Sequence, residues 1–83
     1  DAADLAFVDR VETALAGALG RDEVLRCRVT HAGVVIELAR DDARAGAIAS
    51  ELGERACRAA GRTFAGVRRY ARGAAFLHAA ADD

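Results

Sequence analysis

Apolar positions recur along this chain with two different periods, and the changes of period divide it into five segments. Leu5, Val8, Val11, Leu15 and Leu19 follow one another at spacings of three and four, the repeat of an amphipathic helix. The pattern predicts a helix over about residues 4–18, with Asp4 as its N-cap and Gly20 as its stop. Period two follows. In Leu25-Arg26-Cys27-Arg28-Val29, Leu25, Cys27 and Val29 point one way and Arg26 and Arg28 the other. Thr30-His31-Ala32-Gly33 reads as a turn, and Val34-Val35-Ile36-Glu37-Leu38 as the returning strand. Matching the apolar faces pairs Val29 with Val34, Cys27 with Ile36 and Leu25 with Leu38. The same register sets Arg26 opposite Glu37 and Arg28 opposite Val35.

The helical period then returns over about residues 42–60, capped by Asp41 or Asp42 and ended by Gly61. Its apolar stripe is Ala45, Ile48, Ala49, Leu52, Ala56 and Ala59, and Glu51–Arg55 and Glu54–Arg58 are i,i+4 pairs on the wet face. Phe64 to Tyr70 alternates poorly but suits a third strand. Ala71-Arg72-Gly73 reads as a turn, and Ala74 to Ala81 as further strand or a short helix. The expected fold is a small two-layer α+β domain of order α-β-β-α-β, an antiparallel hairpin plus a third strand packed on two helices.

Composition narrows the function classes. Eighty-three residues make one domain. The apolar fraction is 53%, but much of it is alanine, so the core is thin. A neighbouring domain or a second copy is therefore expected to help, and homo-oligomerisation with it. The net charge of −1 gives no global field toward nucleic acid or membrane, and no apolar run has membrane-spanning length. Two cysteines thirty residues apart, Cys27 and Cys57, read as reduced thiols of a cytoplasmic protein. The chain opens on Asp1 directly in a helical pattern, and is expected to be part of a longer polypeptide.

Little in the chain spells catalysis. Cys27, His31, Cys57 and His78 show no metal-ligand spacing, and both cysteines fall at core positions. Ser50, the one serine, sits mid-helix, and no GxSxG, P-loop or GxGxxG occurs. Gly17-Ala18-Leu19-Gly20 matches a GxxG but has no basic residue between its glycines, and reads as a helix end. The arginines carry more. All twelve basic residues are arginine, and six of them lie between Arg55 and Ala81 without an acid. Sparse aromatics argue against a nucleic-acid surface there. Arg26 and Arg28 share one strand face about 7 Å apart. Two guanidinium forks at that distance can grip one phosphate or carboxylate; alternatively Arg26 pairs with Glu37 and Arg28 lies over Val35. The Arg68-Arg69-Tyr70-Ala71-Arg72 cluster offers the same choice between an anion site and a solvated face.

The Arg26-Cys27-Arg28 strand, the His31-Ala32-Gly33 turn, the Val34-Val35-Ile36-Glu37-Leu38 strand and the helix ending at Gly61 together resemble the C-terminal domain of the LarE family. These are ATP-dependent sacrificial sulfur transferases of the PP-loop superfamily. Val67 to Ala74 resembles that family's closing stretch, while Val35 stands where the family carries an arginine. The resemblance implies an upstream PP-loop domain that binds ATP and Mg and adenylylates a pyridinium dicarboxylate mononucleotide. It also implies a sulfur-donating cysteine outside this region, and a product destined for a nickel-pincer cofactor. For this chain it implies no catalytic residue, a role for Arg26, Arg28 and Arg72 in binding the anionic groups of the small substrate, and subunit packing. The residues leave a second reading open: a non-enzymatic interaction or oligomerisation domain whose arginine face meets acidic partners.

Overall fold

Helix α1, Ala2–Leu19, starts two residues earlier than its apolar repeat predicts. The Asp1 side chain accepts the Asp4 backbone N–H at 2.9 Å, so Asp1 is the N-cap and Asp4 belongs to the first turn. The buried stripe is Phe7, Val11 and Leu15, an i,i+4 row, with Val8 and Leu19 at its margin. Leu5, predicted on that stripe, is 72% exposed, because Phe7 takes the inward direction instead.

The hairpin forms as its alternation dictates. Strands β1 (Leu25–Thr30) and β2 (Gly33–Leu38) pair antiparallel with the predicted register throughout, from Leu25 opposite Leu38 to Val29 opposite Val34. Val29, expected inward, is 43% exposed at the hairpin tip. β1 is an edge strand. Its Cys27 N–H points off the sheet and donates to the Glu12 carboxylate of α1 at 2.9 Å, which satisfies an edge donor and places a charge at the edge.

Helix α2 (Ala43–Ala60) is capped by Asp42, whose side chain accepts from the backbone N–H of Arg44 and Ala45. It ends at Gly61 in the left-handed conformation, with Gly61 N–H to Arg58 O and Arg62 N–H to Cys57 O. The buried row is Ala45, Ala49, Gly53 and Cys57, a line of small residues that lets the helix lie close on the sheet. Gly53 marks the closest approach: a Cβ there would stand 2.4 Å from Phe64 Cε1 and 2.8 Å from Ile36 Cδ1. Ala59, predicted on the stripe, is exposed. The Glu51–Arg55 pair closes at 3.4 Å, whereas Glu54–Arg58 does not come within ion-pair distance.

Strand β3 (Phe64–Arg69) runs parallel to β2, so β2-α2-β3 is a βαβ unit and β2 is the central strand of the order β1-β2-β3. Both helices cover one sheet face. The core is Phe7, Val11 and Leu15 from α1, Ala45, Ala49 and Cys57 from α2, and Cys27, Val34, Ile36 and Leu38 from the sheet. Each large side chain fully buried there contributes about 1.5–3 kcal/mol. Arg62 ties the helix ends together, 4.6 Å above the Phe7 ring and 2.8 Å from Asp4. The computed structural model describes residues 1–70; the predicted turn at residues 71–73, the segment after it and Arg72 lie outside the described residues.

Candidate functional site

The sheet face turned away from the helices carries the chemistry, and a defect in β3 creates it. Phe64 opposes Val34, but Val35 opposes Gly66, so Ala65 is an extra residue. Gly66 takes φ 130° at this bulge, a conformation that side-chain-bearing residues rarely adopt. One inserted residue reverses the in–out parity of everything after it. Phe64 and Val67, three apart, therefore both pack on the helix side, and Arg68 comes to the opposite face, directly beside Glu37. This is also why the third strand alternates poorly in the sequence.

Glu37 stands at the centre of that face, with Arg26 on one side and Arg68 on the other in the strand register. Its side chain is only 7% exposed. Arg28 Nε donates to Glu37 Oε1 at 2.7 Å, and Arg68 Nε to Oε2 at 2.8 Å. The alternative set out above, with Arg26 paired to Glu37 and Arg28 over Val35, is corrected in its partner: Glu37 is taken diagonally by Arg28 and across the parallel pair by Arg68. Arg26 has no ion-pair partner among the described residues. Arg28 and Arg68 reach Glu37 through Nε alone, and their side chains are 47% and 59% exposed. Among the described residues nothing bonds to their Nη groups. Among the described residues, three guanidinium charges against one carboxylate leave this face formally at +2.

Burial pushes the Glu37 carboxyl upward, but the hydrogen bonds and charges of Arg28 and Arg68 outweigh it, and its pKa lies below the ordinary glutamate value. The Glu37 hydrogen bond and charge raise Arg28 in turn. Both shifts favour the charged forms of Glu37 and Arg28.

The other arginines disperse. Arg69 turns to the far side and meets Asp41 at 3.6 Å. Arg40 bridges Glu23 at 2.8 Å and Asp42 at 2.5 Å, holding the loop to the start of α2. Arg55 faces Glu51, and Arg62 serves the helix ends. The stretch from Arg55 to Arg69 is thus not one basic surface. Cys27 and Cys57 are buried and unbonded to each other. Burial, then the Glu12 charge, pushes the Cys27 thiol up to about 11, and burial raises Cys57 as well. His31 is an exposed turn residue. No group of three metal-ligating side chains forms among the described residues, and none of their helices is long and apolar enough to cross a membrane.

Sequence reasoning singled out Arg26 and Arg28 but missed Glu37 as the group that orients Arg28, and missed Arg68 as its second partner. The spacing of Phe64 and Val67 around Gly66 was the signal for Arg68. No family model, no curated protein and no solved structure matches this chain.

Proposed function

We propose that this chain is an anion-binding α+β domain whose sheet face opposite α1 and α2 holds a small phosphate- or carboxylate-bearing ligand through Arg26 and Arg28. The observation that carries this reading is the hold of Glu37 on Arg28 through Nε alone, with nothing bonded to the Arg28 Nη groups and no ion-pair partner for the neighbouring Arg26 among the described residues. A guanidinium fixed at Nε keeps a planar pair of donors for an oxyanion, with less side-chain entropy to lose on binding. The resemblance to the LarE family supplies the finer version. The ligand is then a pyridinium dicarboxylate mononucleotide, and the domain works in cis with an ATP- and Mg-binding PP-loop half whose cysteine supplies sulfur.

The test is equilibrium binding of inorganic phosphate to the 83-residue chain and to Arg26→Ala and Arg28→Ala. Each substitution is expected to weaken binding about tenfold or more, the loss of a charge-assisted contact. Equal binding by wild type and both variants, or none by wild type, would refute the reading. The finer version is checked by the coding sequence around this domain. It requires a Ser-Gly-Gly-x-Asp-Ser loop and a cysteine upstream.

A second reading, subunit packing, has its own support. An apolar groove of about 370 Å³ runs between α1 and α2, lined by Val11, Ala14, Leu52 and Ala56 among others. Sedimentation showing a dimer or higher oligomer at micromolar concentration would favour it, and a stable dilute monomer would exclude it.

A further inference from the structure

We infer that Arg68 is a third anion contact and Glu37 the positioning residue that sets Arg28 and Arg68 toward one ligand, so that the site takes a doubly charged oxyanion. This rests on the anion-binding reading above. Three observations carry it. Glu37 lies on the central strand, flanked in register by arginines of both neighbouring strands. Each of its two oxygens takes one Nε, at 2.7 and 2.8 Å, so both guanidinium planes are fixed by the same buried group. The bulge at Gly66 places Arg68 on this face; an unbulged β3 would send it into the helix layer.

The charge count sets the ligand class. With Arg26, Arg28 and Arg68 against Glu37 the face is formally +2 among the described residues, and a dianion such as phosphate or sulfate neutralises it where a monoanion leaves +1. Donor number points the same way, since the three guanidiniums hold more N–H groups unbonded among the described residues than one carboxylate can accept.

A positioned site and a merely positive one respond with opposite sign to the loss of Glu37. Glu37→Gln removes a negative charge, so a site working by charge alone binds anions more tightly. If Glu37 positions the guanidiniums, binding weakens, because the amide can accept from one Nε only and turns its own NH₂ against the other. Sulfate, methyl sulfate and inorganic phosphate are titrated at constant ionic strength into wild type, Glu37→Gln, Arg68→Lys and Arg26→Ala. The Arg Nε–H resonances are followed by NMR.

The expected result is sulfate bound at least about tenfold more tightly than methyl sulfate. Glu37→Gln and Arg68→Lys should each lose about tenfold for sulfate, and the Nε–H signals of Arg28 and Arg68 should lose their protection in Glu37→Gln. Arg68→Lys keeps the charge at an exposed edge position, and decides the matter should Glu37→Gln fold poorly. Tighter sulfate binding by Glu37→Gln, or unchanged binding by Arg68→Lys, overturns the inference. If that occurs while Arg26→Ala still loses binding, the anion reading stands without it. Absence of any anion binding by wild type removes both.

Discussion

Arg28 donates through Nε to Glu37 at 2.7 Å although Val35, not Glu37, is its partner in the strand register. The residue directly opposite Glu37 is Arg26, and it makes no such contact. A diagonal pair across a twisted antiparallel ladder lies within reach of a long side chain. Once taken, it frees the nearer arginine and leaves two cations side by side on one face.

Stability should record this pairing in acid. The folded-state pKa of Glu37 is depressed, so its contribution is complete above the unfolded value of about 4.3. It disappears as pH falls through the lower folded value. Glu37→Gln is expected to cost about 1–3 kcal/mol at pH 7 and to flatten the acid limb of the stability profile. Denaturant melts between pH 2 and 7 check this. Parallel profiles for the two proteins would show that the pairing contributes nothing.

The two glycines inside α2 make a matched pair. Alanine is the better helix former by about 1 kcal/mol, and at Gly46 no atom lies within 4 Å of the added Cβ. Gly46→Ala should therefore stabilise by about 0.5–1 kcal/mol. At Gly53 the same methyl meets the Phe64 ring and Ile36, and Gly53→Ala should destabilise by about 1–3 kcal/mol. Thermal melts of the two variants are expected to move in opposite directions.

Gly66 links backbone to site. A side chain at φ 130° is strained, and Gly66→Val is expected to lose about 1–3 kcal/mol together with the Arg68 contact to Glu37. The Arg68 Nε–H resonance reports the second effect separately. A variant that keeps both stability and that resonance would mean the bulge does not set Arg68.

Cys27, with its thiol pushed up to about 11 and only 5% of its surface exposed, should label with an aromatic disulfide reagent at pH 8 no faster than the chain unfolds. Denaturant should accelerate labelling in step with the loss of helix. Rapid labelling of the native protein would place the thiol outside the core.

Much of the fold was legible because local and tertiary signals agreed. Strict alternation from Leu25 to Val29, matched to the inward positions Val34, Ile36 and Leu38, gave the hairpin register residue by residue, and Asp42 and Gly61 bounded α2. The misreadings came where tertiary packing chose among local options. Phe7 displaced Leu5 from the inward stripe of α1, and Gly53 and Cys57, not Ala59, met the sheet, since only small residues allow that approach. The site was half legible. Period two put Arg26 and Arg28 on one face, but which of them Glu37 takes depends on side-chain reach. Arg68 depends on one inserted residue in a strand that was read as irregular.

The most direct test of the central claim is to map phosphate onto the ¹⁵N-labelled chain by backbone chemical-shift changes. The account predicts saturable shifts concentrated at Arg26 to Arg28, Val35 to Glu37 and Gly66 to Arg68. Shifts centred on Arg40, Arg44 and Arg69, at the start of α2, or no saturable shifts at all, would contradict it.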